Sequence, residues 1–151
     1  MNSRLLVGAL VVGSAAAALA SGASAESFTY TYINDAATMV SAPTASAPLY
    51  AGSWKGASTT IMKSGASIKS SYQCTIWPTP GQFTNQSMIC NVTETSGDKY
   101  SITSNCLNST KGGSMCWGYV QGLSGKYAGK TGALSQIGNG ETGAGQGAWA
   151  D

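Results

Sequence analysis

Histidine is absent from this 151-residue chain, and arginine occurs once, at Arg4. Without imidazole there is no His-ligated metal site, no Ser-His or Cys-His nucleophile pair and no imidazole acid–base step. Catalysis would have to use carboxylate, Tyr, Lys or backbone groups. Charge is scarce too: 9% of the residues are Asp, Glu, Lys or Arg. With Arg4 set aside, seven lysines stand against six acids, a balance of +1. That offers no electrostatic footprint for nucleic acid or an anionic membrane surface. Ser, Thr, Asn and Gly supply the polarity instead. Low charge with a normal share of aromatics is not the composition of a disordered chain.

Long apolar runs are confined to the start. Arg4 is followed by an uncharged apolar run, Leu5 to Ala20, and then by Ala23-Ser24-Ala25, a small-residue A-x-A site. That order is the layout of a secretory signal peptide. The run is sixteen residues, short of the roughly 20 that a helical span needs. The expectation is a leader over 1–25 and one domain over 26–151, secreted or periplasmic. No later stretch is apolar enough to cross a bilayer, so no integral membrane segment is expected after leader removal. A domain of this length buries roughly two-thirds of its unfolded surface, enough for a real core.

Four cysteines, Cys74, Cys90, Cys106 and Cys116, lie in the expected mature chain. In an exported protein an even number points to disulfides. Zinc thiolate sites use close C-x(2-4)-C pairs, and the shortest gap here holds nine residues, so no metal site is expected.

The rest reads as strand and turn. "SFTYTYI" (Ser27 to Ile33) alternates. "SIKSSYQCTIW" stops at "PTPGQ", and "SMICNVTE" follows. After "TSGDK" the chain returns as "YSITSNC", and after "NSTKGG" as "SMCWGYVQ". Strands joined by short turn-rich loops at this rhythm indicate a sandwich or barrel. Setting Cys74 opposite Cys90 places Tyr72 against Val92 and Ile76 against Met88. Setting Cys106 opposite Cys116 places Ile102 against Val120. A three-residue turn at Ser96-Gly97-Asp98 then sets Val92 against Ile102 and Met88 against Cys106. Side chains alternate across a strand, so one face carries Tyr72, Ile76, Met88, Val92, Tyr100, Ile102, Val120 and all four cysteines. The other carries Ser71, Gln73, Thr75, Asn91, Thr93, Ser101 and Thr103, with Trp77, Ile89, Met115, Trp117 and Tyr119. Of the three possible connectivities this register selects Cys74–Cys90 and Cys106–Cys116. Closing the first loop contributes about 3 kcal/mol on the chain-entropy estimate.

"GLSGKYAGKTG", Gly122 to Gly132, contains a Gly-Lys-Thr triplet. A phosphate-binding loop, G-x-x-x-x-G-K-[ST], would place its first glycine at position 124, which is Ser124. The Gly-rich sequence that follows cannot start a good helix. No nucleotide is expected. The glycines at 122, 125, 129 and 132 instead allow the bends, bulges and close approaches a closing barrel needs. Tyr127 supplies a ring to bury among them. "GAGQGAW" repeats the device, with Trp149 as the anchor of a closing strand.

"GLSGKYAGKTG", the tail "GQGAW" and the turn in "CNVTETSGDKYSI" together resemble the allene oxide cyclase-like (dirigent-type) β-barrel family, as a small exported bacterial member. That family often carries G-x-G-K-[YF]-x-G-x-x-G late in the chain. Here Leu123 stands at the first glycine of the pattern. The resemblance spans about Ala51 to Trp149. It implies an all-β fold, a small antiparallel eight-stranded barrel with a central apolar cavity, often oligomeric; the register adds two disulfide staples. "AGSWKG", Ala51 to Gly56, is also similar to the G-x-W on an early strand of lipocalins and avidins, with Trp54 as a ring buried at a barrel end.

Three function classes fit. A binding barrel would hold a small apolar molecule among Tyr72, Met88, Val92, Tyr100 and Ile102. A cofactor-free cyclase or isomerase of the allene oxide cyclase-like type would need a carboxylate, and Glu94, on the core face beside Tyr100, is the catalytic candidate. An envelope or extracellular interaction protein, such as an inhibitor or adhesin, would use the face with Trp77, Trp117 and Tyr119 for a partner or a homo-oligomer. Asn34 to Pro48 reads as a long extended loop, the segment available to cover that face. Lys126 and Lys130 read as solvated loop charges. The leader reading is checked by amino-terminal sequencing of the exported protein, which should begin at Glu26; a first residue upstream of Ala25 contradicts it.

Overall fold

The computed structural model describes residues 25–43, 49–79, 81–82, 85–109 and 111–150. All of the expected leader except Ala25 lies outside them. The strands are β1 (Glu26–Ala42), β2 (Leu49–Met62), β3 (Ser67–Pro78), β4 (Asn85–Glu94), β5 (Lys99–Asn108), β6 (Ser114–Ser124), β7 (Thr131–Gly138) and β8 (Thr142–Ala150). Each pairs antiparallel with the next, and β8 returns to β1, so the sheet closes as an up-and-down barrel of eight strands. The expected all-β class and closed eight-stranded architecture are what the chain forms.

Both cysteine hairpins take the expected register. Cys74 pairs with Cys90, Tyr72 with Val92 and Ile76 with Met88. Cys106 pairs with Cys116 and Ile102 with Val120. The disulfides Cys74–Cys90 and Cys106–Cys116 join these partners. Alternation then sorts the faces. Cys74, Ile76, Met88, Cys90, Val92, Cys106, Cys116 and Val120 are buried inside the barrel, while Thr75, Ile89, Asn91, Trp117 and Tyr119 face out.

Between β4 and β5 the register differs from the sequence expectation. Val92 pairs with Tyr100, not Ile102; Met88 pairs with Ser104, not Cys106; Ile102 faces Cys90. The loop is Thr95-Ser96-Gly97, bounded by Glu94 N–H donating to Asp98 O at 2.9 Å and Gly97 N–H donating to Glu94 O at 2.9 Å. A three-residue hairpin loop ends on its left-handed residue, and Gly97, at φ +92, has to take that last place rather than the middle one. The partner of each residue moves by two, so the faces survive the change.

Asn34 to Ala42 corrects a second expectation. It is not a loop but the continuation of β1, paired with Leu49–Lys55 and Gly56 of β2. β1 leaves β8 after Ile33, and the β1–β2 ribbon runs on past the barrel rim. The register shifts between Asn34 and Ala36. The extra residue, Asp35, inverts the alternation: Tyr32 and Asn34 line the interior before it, Ala37 and Met39 after it. Residues 44–48 lie outside the described chain.

The Gly-Lys-Thr triplet enters β7, not a helix, after a single 3-10 turn at Gly125–Tyr127. Leu123 is the extra residue of a bulge, since Lys99 pairs with Ser124 and Tyr100 with Gly122. Gly122 itself is packed so closely on the Tyr127 carbonyl that a Cβ would lie 1.6 Å from it.

The β1–β8 seam closes the barrel, and it is built on missing side chains. Phe28, Tyr30 and Tyr32 pair with Gly147, Gly145 and Gly143. A Cβ on Gly145 would lie 2.4 Å from Tyr30 Cζ and 2.5 Å from the Ser135 carbonyl. Gly145→Ala should therefore lower stability by about 1–3 kcal/mol through overpacking, read as a fall in the urea midpoint. The outward neighbour Ala144→Gly should lose about 1 kcal/mol or less. Equal small losses at both positions would contradict this packing.

Candidate functional site

The barrel is a cup. One end is filled by Phe28, Met62, Val120, Tyr127, Leu134 and Trp149. Tyr127 stacks on Trp149 with ring centroids 4.5 Å apart. Tyr100 meets both edge-on, at 5.2 Å and 5.5 Å. This aromatic floor is anchored by Glu94, which is 4% exposed. Tyr127 Oη donates to Glu94 Oε1 at 2.5 Å. Lys126 Nζ lies 2.6 Å from Glu94 Oε2 and 4.9 Å above the Tyr127 ring. Ser96 Oγ donates toward the same carboxylate at 3.2 Å. A buried carboxylate is tolerated only when paired and hydrogen-bonded, and this one is both. Lys126, exposed as a loop charge is, is thus also an ion-pair partner of Glu94, with Asp98 a further 3.9 Å contact.

Above the floor lies a cavity of about 560 Å³. All five residues singled out for ligand contact, Tyr72, Met88, Val92, Tyr100 and Ile102, line it, as do both disulfides. Glu94 is not among the lining residues; its oxygens face the floor donors. Trp54 stands across from Cys74 and lines the same space. No Asp, Glu, Lys or Arg is in the lining among the described residues. Ser104 Oγ, on the inner face of β5, is buried with no hydrogen-bond partner among the described residues.

The rim is carboxamide. Gln86, fully buried, donates through Nε2 to the Tyr50 carbonyl and accepts at Oε1 from Asn108 Nδ2. Asn34 Nδ2 donates to the Gly140 carbonyl at 2.7 Å, and Tyr72 Oη donates to Asn34 Oδ1 at 2.6 Å. These bonds tie the projecting β1–β2 ribbon to the mouth. Within the cavity Tyr30 Oη donates to Gln136 Oε1 at 2.8 Å.

The β1 aromatics and the rim amides are the part of this site that the hairpin alignment of the cysteine strands does not reach. The alternation of Phe28, Tyr30 and Tyr32 with Thr29 and Thr31 was the available signal. Their partner strand, near the other end of the chain at Gly143–Gly147, had no cysteine to set its register. No family model, no curated protein and no solved structure matches this chain. Among the described residues no group of His, Cys, Asp and Glu is placed to hold a metal ion.

Burial pushes the Tyr100 phenol up to about 12; the Glu94 charge adds to the shift and the Ser70 and Thr60 hydroxyls oppose it. Burial also raises Tyr30, Tyr72 and Tyr127 well above the usual phenol range, Tyr127 with help from its bond to Glu94. A phenol whose folded pKa is raised stabilises the fold fully below its unfolded value, about 10, and that contribution is lost as pH climbs through the folded value. Phenolate absorbance should show these tyrosines holding their protons to about pH 12, with β-sheet circular dichroism lost in the same step. Full ionisation of all tyrosines near pH 10 with the sheet intact would contradict their burial.

Proposed function

We propose that this barrel binds one small, uncharged, mainly apolar molecule in its central cavity. The observation that carries this is the cavity itself: about 560 Å³, walled by aromatic, aliphatic and sulfur side chains, with no charged lining residue among those described. That volume is within the range of pockets that enclose drug-sized ligands. Eight-stranded barrels either fill themselves with side chains or hold one small ligand, and this one keeps a cavity above its aromatic floor. Polar carboxamides at the rim are the few orienting groups such sites carry.

The disulfides are compatible with an oxidising compartment. With the leader read from sequence they support a secreted or periplasmic binder. The interior is apolar, the reverse of the polar lumen of membrane barrels, while the outer face mixes Ser, Thr, Asn and Gln with exposed Trp77, Ile89, Met115, Trp117, Tyr119 and Ile137. The resemblance to allene oxide cyclase-like barrels supports the same cavity and adds cofactor-free cyclisation or isomerisation as the enzymatic alternative. Binding is the preferred reading because Glu94 is held by Tyr127 and Lys126 instead of facing the cavity.

Titration of the oxidised protein with N-phenyl-1-naphthylamine, an uncharged dye bright in apolar surroundings, is the test. The expected result is saturable binding of one dye per chain. Met88→Trp, which fills the cavity from a buried lining position, should abolish it. No saturable binding to the native protein, or unchanged binding in Met88→Trp, overturns the proposal.

A further inference from the structure

We infer that the cavity selects flat, conjugated, uncharged molecules over saturated chains and over acids of the same size. This rests on the binding reading above and names its ligand class. The warrant is the way one wall is surfaced. Phe28, Tyr30 and Tyr32 lie across β8 with their far ring atoms over Gly147, Gly145 and Gly143. A Cβ at those glycines would come within 2.5 Å, 2.4 Å and 2.3 Å of the respective Cζ atoms. Neighbouring rings are inclined to one another by 42° (Phe28–Tyr30) and 31° (Tyr30–Tyr32), so the three form one tilted aromatic strip over the bare backbone of β8. Tyr72 uses the same device over Gly56, where a Cβ would lie 2.5 Å from its Cζ. Successive centroids are 6.2 Å and 6.4 Å apart from Phe28 through Tyr30 to Tyr32, and Tyr72 meets Tyr32 edge-on, at 6.4 Å and 88°, at the end of the strip.

Across the barrel the lining is sulfur-rich: Met88 and the two disulfides. Sulfur and aromatic faces are the most polarizable surfaces a protein offers, and both favour a planar π system over a flexible chain. A rigid ligand also loses less conformational freedom on binding than a saturated chain does. The uncharged lining excludes acids and phosphates for a separate reason: a carboxylate brought inside would leave its water without gaining a cation. A single hydroxyl or carbonyl is accommodated at the rim, where the paired carboxamides of Gln86 and Asn108 line the cavity.

The test uses three probes on the oxidised full-length mature protein. N-phenyl-1-naphthylamine is flat and uncharged; 8-anilino-1-naphthalenesulfonate has the same skeleton with an anion; 1-dodecanol is saturated and uncharged and is read by competition. The expected order places the uncharged dye at least about tenfold tighter than its sulfonate. Tyr30→Leu and Tyr32→Leu should weaken the dye about three- to tenfold and leave dodecanol competition unchanged, while Tyr30→Phe, which keeps the ring, should hold the dye as the native chain does. Tyr119→Leu, on the outer surface and 72% exposed, should change nothing, which separates cavity binding from adsorption. Should the leucine variants fail to fold, the native preference for dye over dodecanol decides. If dodecanol competes at equal affinity, or if the leucine variants bind the dye unchanged, the ligand class is wrong while the binding reading stands. If none of the probes binds, both fall.

Discussion

The barrel depends on the absence of side chains along one strand. A closed eight-stranded sheet has an interior only wide enough for its own side chains or one ligand. In the β1–β8 seam, three aromatic rings from β1 would collide with side chains at the three β8 positions facing them if there were any. Glycine at each facing position removes the collision, lets the two strands pair, and lays the rings over the bare backbone. The same substitution of ring for side chain recurs where Tyr72 covers Gly56. Closure and the aromatic surface of that wall therefore have one cause: the rings of β1 take the places that three β8 side chains leave.

Charge is handled by segregation. The one buried carboxylate among the described residues, Glu94, is neutralised by Lys126 and bonded by Tyr127, and that cluster ties the 3-10 turn to the β4–β5 hairpin beneath the aromatic floor. The lining above is left without formal charge. A low-dielectric, uncharged chamber over a tightly paired ionic base favours neutral guests, because any ion entering would lose hydration with nothing to replace it. The polar groups on the lining are neutral amides and hydroxyls, among them the rim carboxamides, the Tyr30–Gln136 pair, Ser58 and Thr60.

Legibility along the chain followed covalent and steric constraint. Where cysteines fell opposite each other, as at Cys74 and Cys90, the alternation of neighbouring residues was readable to the single residue. Where only a turn set the register, between Thr93 and Lys99, the pairing was displaced by two because the glycine belongs at the end of its loop. The lining role of Tyr72, Met88, Val92, Tyr100 and Ile102 followed from their shared face and survived that displacement. Asn34 to Ala42 was unreadable as strand because its alternation is broken by the bulge at Asp35 and its inward residues, Ala37 and Met39, carry little periodic signal.

From the residues alone came the all-β class, both disulfide pairings and the two faces of the cysteine hairpins. These are local: hydrophobic alternation, turn chemistry and neighbouring-strand sulfurs act over short stretches of chain. Tertiary structure decided the rest. It brought the first strand against the last, turned Glu94 toward Lys126 and Tyr127, and left the middle of the barrel hollow. Each of these joins groups far apart in sequence, and their geometry exists only once the sheet has closed.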